Sequence, residues 1–307
     1  MKTTTRLFFG FLLVLGAAAG TGGIDIWSAV ASAETNDLAA ALKTARASEP
    51  PGYHLIVHRT DQKGQRSFEV FPSGVGIWNH RSQITLPPKV RASLLEILRE
   101  RRFAEMAPSY GGKRTPEVRE AALRVSCRVA LELHGVEKSS VQLADGEQSA
   151  ELAALADALL DRVEPLAAGG VTADDLDDGL RKLAGGKLAA EAFRLRFVRL
   201  PEDSDGEILS MRNGLESRKA YSPGRRIGEE TVTELTSDRL AALVKTLLEA
   251  DVASLPVNLW SAEHVELEVA VLGHRTTVIG RDFSRLASDK TSDAGKRFAR
   301  LVAFLRK

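Results

Sequence analysis

Two histidines four residues apart, in Tyr53-His54-Leu55-Ile56-Val57-His58, are the first candidates for chemistry, because neutral imidazole is a common metal ligand. Whether they can act together depends on the element that carries them. On a helix they would converge. On a strand they share a face but stand about 13 Å apart at ~3.3 Å per residue, too far for one zinc ion with ligands at roughly 2.0–2.3 Å. Apolar Tyr53, Leu55 and Val57 alternate with His54 and His58, which predicts a strand. The expectation is therefore no metal, and two polar residues on the wet face of an edge strand.

Cys127 could be a nucleophile with His134 or His80 as its base. It lies, however, in the apolar phase of Cys127, Val129, Leu131 and Leu133, where a thiol behaves as a small hydrophobe. The run Asp174-Asp175-Leu176-Asp177-Asp178-Gly179 suggests calcium, yet lacks the alternating spacing and terminal Glu of an EF-hand. Carboxylates behind a Thr172 cap fit a helix N-terminus more simply. Other contact candidates lie in loops: Asp203 and Asp205 between two strands, Arg225 and Arg226 in Ser222-Pro223-Gly224-Arg225-Arg226, and the aromatic Trp260. Trp78 and Tyr110 could, like Trp260, anchor an interface, although core or rim packing is the better explanation of each. The sequence contains no Gly-x-Ser-x-Gly, His-Glu-x-x-His, phosphate loop, dinucleotide fingerprint or Cys-x-x-Cys. No catalytic residue, cofactor or metal is assigned.

The elements that would position these residues begin after a distinct leader. Lys2 and Arg6 precede an apolar run from Leu7 to Ala19, and Ala31-Ser32-Ala33 supplies small residues before Glu34. That is the order of a secretory signal, cleaved near Ala33. Export to the periplasm or medium is expected, or membrane anchoring if the signal is retained. The 42 basic and 41 acidic side chains of the whole chain become 40 and 40 once Lys2, Arg6 and Asp25 leave. A neutral body argues against nucleic acid, which is held largely through a basic surplus. One cysteine allows no intrachain disulfide, so stability must come from packing.

The body repeats itself. At a shift of 140, Tyr53-His54-Leu55-Ile56-Val57 meets Phe193-Arg194-Leu195-Arg196-Phe197, and Gly74 meets Gly214. Both glycines stand where a hairpin turn needs positive φ. Helices are expected over 90–106 and 240–255, the second capped by Thr236 or Ser237. At a shift of 138, Val265, Leu267, Val269 and Val271 repeat the alternation of Cys127 to Leu133, and Gly273 repeats Gly135. Return strands follow, and final helices over 150–163 and 294–305. Each half thus reads β-β-β-α-β-β-α: an α+β protein of two tandem units, each an antiparallel sheet with helices on one face. The expected boundaries are a signal over 1–33, a first repeat over 34–164, a linker over 165–190 with a short helix near 173–183, and a second repeat over 191–307.

In the second half, Arg199 ends a first strand, Ala253-Ser254-Leu255-Pro256 ends a helix, and Val265-Glu266-Leu267-Glu268-Val269 and Gly273-His274-Arg275-Thr276-Thr277-Val278 form paired strands. These features resemble a family of small domains typified by emfourin, a proteinaceous inhibitor of thermolysin-like metalloproteases. The first half, Tyr53 to Val163, looks like a divergent copy. The resemblance implies the fold and a protease-inhibiting activity, and carries over no site residues. The first hairpins, Arg59 to Gly64 and Arg199 to Gly206, depart from the family's Arg-Ser-Gly-Gly. The expectation is an exported, non-enzymatic protein with a protein or peptide partner. Its alternative is an exported hydrolase with a site in the cleft between the repeats. Nothing in the sequence fixes the oligomeric state.

Overall fold

In a computed structural model, the described residues are 37–44, 52–62, 64–110, 125–144, 149–201, 205–221, 228, 230–282 and 292–306. The expected signal segment, 1–33, lies outside them, and none of their helices is long and apolar enough to cross a membrane. They form an α+β protein with two sheets.

The first half opens with helical residues 37–44 (α1) and continues as β1 (Tyr53–Asp61), β2 (Gly64–Val70), β3 (Val75–Trp78), β4 (Ser82–Thr85), α2 (Pro88–Glu100), β5 (Ser109–Tyr110), β6 (Val125–Leu133), β7 (Val136–Leu143) and α3 (Ala150–Ala167). Between the halves run β8 (Val171–Thr172) and α4 (Leu176–Ala184). The second half then repeats the series as β9 (Phe193–Leu200), β10 (Gly206–Arg212), β11 (Leu215–Tyr221), β12 (Glu230–Glu234), α5 (Ser237–Glu249), β13 (Asn258–Trp260), β14 (His264–Val271), β15 (His274–Arg281) and α6 (Asp293–Leu305).

The strand orders are β5-β7-β6-β1-β2-β3-β4-β8 and β12-β11-β10-β9-β14-β15-β13. Without β8 they are the same order read from opposite ends. Each half contains two strands that periodicity did not reveal. One precedes the middle helix (β4, β12) and is too short and polar to alternate clearly. The other follows it (β5, β13), is only two or three residues long, and pairs in parallel with β7 or β15, so both sheets are mixed. The tips behave as read: Gly74 has φ +87° and Gly214 +73°.

The middle helices stop earlier than their apolar stripes suggest. Arg102 and Asp251 adopt left-handed φ of 53° and 48° and turn the chain into a short 3-10 segment. Thr236 is the cap of α5, accepting from Arg239 N at 3.2 Å. The carboxylate Asp175 caps α4 by accepting from Asp178 N at 2.8 Å, while Thr172 lies in β8 instead.

Packing shows why the segment expected to be a linker is more than a tether. Leu176, Leu180 and Leu183 of α4 are buried with Phe193, Leu195, Leu243 and Val271 in the second core, much as Leu38 and Leu42 of α1 sit in the first. The repeated unit therefore includes a leading helix. Gly179 brings α4 onto the sheet, since an added Cβ would stand 2.8 Å from Val271 Cγ1. Phe71 and Ile77 of the first half belong to this second core, so the two halves share buried apolar surface.

Candidate functional site

Two features could support function: the seam between the halves, and the far edge of the second sheet.

The seam begins with the alternation of β2. Phe68 and Val70 point into the first core, which places Glu69, opposite Ile56 and Ile77, on the other face together with Phe71. That face is covered by the second half, and a carboxylate carried there must find partners. The side chain of Glu69 is 10% exposed. His54 Nε2 donates to its Oε1 at 2.9 Å and Arg194 Nη2 to its Oε2 at 3.1 Å. The Phe71 ring stacks on His54 with centroids 5.3 Å apart. A turn with Asn79 and His80 both left-handed brings His80 close, and Asn79 Oδ1 anchors it by accepting from Ser67 N at 2.7 Å. The β14–β15 turn meets it: an added Cβ on Gly273 would lie 3.1 Å from His80 O.

Burial alone would raise the Glu69 carboxyl. The His54 hydrogen bond and the nearby charges of Arg194, His54 and His80 outweigh it, holding the group below its usual 4.5. His80 is pushed below 6.5 by burial first and by Arg194 second, with Glu69 opposing. Further polar ties cross the same seam. Ala189 N donates to Gln83 Oε1 at 2.7 Å and Ser73 Oγ to Glu191 Oε1 at 2.6 Å.

Strand β1 lies between β6 and β2, so His54 and His58 are on a central strand rather than an edge. His54 is also covered, by the second half. His58 is likewise only partly exposed, with Thr60 Oγ1 3.2 Å from its Nε2, and burial pushes it below 6.5. Among the described residues, no group of three or more His, Cys, Asp or Glu is gathered as a metal would need. Cys127 is fully buried, its Sγ 3.7 Å from Leu152 O, and burial pushes the thiol up to about 11.

Of the loop candidates, Asp203, Arg225 and Arg226 lie outside the described residues. Asp205 accepts from Arg199 Nη2 through its backbone oxygen at 3.3 Å, and Trp260 Nε1 donates to Asp282 Oδ1 at 3.1 Å. Trp260 sits on β13, at the opposite end of the sheet from β12. Trp78 packs near Phe68, and Tyr110 Oη accepts from Ala107 N at 3.1 Å. Neither Glu69 nor Arg194 stood out in the sequence as a candidate, and His80 did so only as a base for Cys127. A usable signal existed, because Phe71 and Ile77 are large apolar residues on the face that alternation assigns to water.

The second feature is a difference between the copies. At the edge of the first sheet, β4 is paired by β8, with Ser82 opposite Thr172 and Gln83 opposite Val171. Gly170 makes this approach possible, since a Cβ there would fall 1.9 Å from Ser82 Oγ. At the matching edge of the second sheet, β12 pairs with β11 on one side, and among the described residues no strand pairs with the other. All five of its residues are exposed.

A shallow depression near β4 is lined by Gln83, Thr85 and Lys187 among apolar neighbours. These are hydrogen-bonding groups, without an acid/base pair.

No protein-family model and no curated protein matches the chain. Weak similarities run to solved structures, among them these three. A beta clamp from H. pylori in complex with 5-chloroisatin is 11% identical over 80% of this chain and 61% of its own, with a TM-score of 0.12. The beta subunit of a Streptococcus pyogenes DNA polymerase is 10% identical over 79% and 62%, with a TM-score of 0.12. A DNA polymerase III beta chain from Streptococcus pneumoniae TIGR4 is 9% identical over 79% and 62%, with a TM-score of 0.11. The chain spans about three fifths of the length of these proteins. At such TM-scores they carry no argument about fold or function.

Proposed function

We propose that the chain is an exported, non-enzymatic binding protein whose partner is a protein or peptide taken at the β12 edge. The observation that carries this reading is the contrast between the two copies. One sheet edge is capped by the chain's own β8, and on the outer side of its counterpart no strand pairs among the described residues. Such an edge is a template for an added strand. The leader from Lys2 to Ala33 supports export, and the emfourin resemblance suggests inhibition of a thermolysin-like metalloprotease as the specific activity.

Two measurements test this. The chain from Glu34 onward should slow such a protease at near-equimolar concentration; being digested as a substrate counts against inhibition. Proline in an edge strand blocks pairing where the N–H faces outward and is tolerated there by the fold. One of Thr231→Pro and Val232→Pro should therefore keep native circular dichroism but lose the partner retained from the exported protein fraction. If both variants retain it equally, β12 is not the contact.

A second reading, an exported hydrolase with its site between the halves, draws on the His54–Glu69 pair beside His80. Both Glu69 oxygens are already engaged by His54 and Arg194, which favours a structural latch. Turnover of model ester or peptide substrates that disappears in His80→Gln would reverse that preference.

A further inference from the structure

The composition of β12 says what kind of segment its edge selects, an inference that rests on the binding reading above. The strand reads Glu230-Thr231-Val232-Thr233-Glu234, a pattern that is the same in both directions. Its pairing with β11 sets Glu230 opposite Lys219, Val232 opposite Ser217 and Glu234 opposite Leu215. Glu230, Val232 and Glu234 therefore share one face. Lys219 Nζ lies 2.8 Å from Glu230 Oε2. Glu234 has only an apolar neighbour opposite, and among the described residues it makes no ion pair.

The symmetry matters for self-association. Two copies pairing antiparallel about Val232 would set each Glu230 against the other copy's Glu234. Like charges directly opposite destabilise a sheet, and edge charges are a common guard against such pairing. The same carboxylates attract a strand of opposite sign. The internal precedent is β8, an antiparallel β-branched segment, Val171-Thr172, laid on the equivalent edge of the first sheet.

We propose that β12 is a docking edge for an extended basic segment of a partner protein, added antiparallel, with a β-branched residue opposite Val232 and Lys or Arg two residues to either side. Backbone hydrogen bonds give the segment its register. Glu234, the carboxylate not already neutralised across β11, supplies most of the charge selectivity.

The experiment titrates the full chain from Glu34 into fluorescently labelled peptides carrying Lys-Thr-Val-Thr-Lys or Glu-Thr-Val-Thr-Glu between neutral flanks, read by anisotropy. At low salt the lysine peptide should bind at least tenfold more tightly, because two favourable cross-strand pairs replace two repulsive ones. The margin should shrink in 1 M salt, where the screening length falls to about 3 Å. Glu234→Lys lies on an exposed strand and should reduce or invert the preference without altering the fold. Equal affinity of the two peptides, or an unchanged preference in Glu234→Lys, overturns the basic-segment proposal. A concentration-dependent dimer abolished by the β12 proline variants would overturn it in favour of a second copy as occupant. If neither peptide binds while the proline variants still lose the natural partner, the edge reading survives and the charge assignment is refuted.

Discussion

Replacing Glu69 with glutamine removes the charge at the centre of the seam while keeping the side-chain shape. The carboxylate accepts two charge-assisted hydrogen bonds, from His54 and Arg194, and bonds of this kind contribute about 1.5–3 kcal/mol each. Arg194 is 49% exposed and can return to water when its partner is lost, so its share belongs below that range. The expected loss at pH 7 is therefore about 2–3 kcal/mol. For a chain of this size, that lowers Tm by roughly 5–10 °C.

The pH profile adds a signature that a simple packing defect would lack. Glu69 ionises below 4.5 when folded, so the unfolded chain binds the proton more readily. Its contribution is complete above about pH 4.5 and is lost as the pH falls through the folded value. His80 is also shifted down, from 6.5. Between those values the unfolded chain gains a proton that the folded chain declines, and stability falls first as pH drops below 6.5. Denaturant unfolding followed by tryptophan fluorescence from pH 3 to 8 should show both declines in the native chain. In Glu69→Gln the acid decline should be shallower. Because the Glu69 charge supports protonated His80, the decline below pH 6.5 should become deeper. A loss under about 0.5 kcal/mol at pH 7 together with an unchanged acid limb would refute the latch.

Three other perturbations probe the same architecture. Phe71→Ala empties a site 2% exposed that joins the halves; it should cost about 3–5 kcal/mol, and calorimetry should show one transition in the native chain and two in the variant. Gly170→Ala places a methyl group 1.9 Å from Ser82 Oγ and should cost about 1–3 kcal/mol through overpacking. Adding Ser82→Ala should recover part of that loss in denaturant midpoints. Cys127, with its thiol pushed up to about 11, should resist a thiol-reactive disulfide reagent at pH 8 until the protein unfolds; rapid labelling of the native chain would show that the core around it opens.

The internal repeat was legible because it is written in periodicity. β1 and β9, β6 and β14, and the four long helices α2, α3, α5 and α6 all carry apolar residues at the spacing their geometry imposes. The strands β4, β5, β12 and β13 were not legible. They are two to five residues long and mostly polar, too short for an alternation of apolar residues to show. The seam was hidden for a related reason. A one-sided sheet was the natural reading of β1, but the second half covers part of the other face, so His54 and Glu69 changed from solvated groups into partners. Phe71 and Ile77, apolar residues in the wet phase, were the sign of that cover.

The two edges, β4 and β12, show one physical problem met in two ways. An unpaired edge exposes backbone groups that another chain can use. In the first copy, Gly170 lets β8 approach to within side-chain contact of Ser82, and Ser82, Gln83 and Ile84 are consequently buried. That edge is spent inside the fold. In the second copy no such segment intervenes among the described residues, and the strand instead carries a carboxylate at each end. Covering an edge closes it to every partner, whereas charging it closes it chiefly to its own kind. Since the two copies share the rest of their strand order, this difference in edge treatment is the feature on which the proposed binding rests. A binding function would therefore be expected to disappear with β12 and to survive changes at β4.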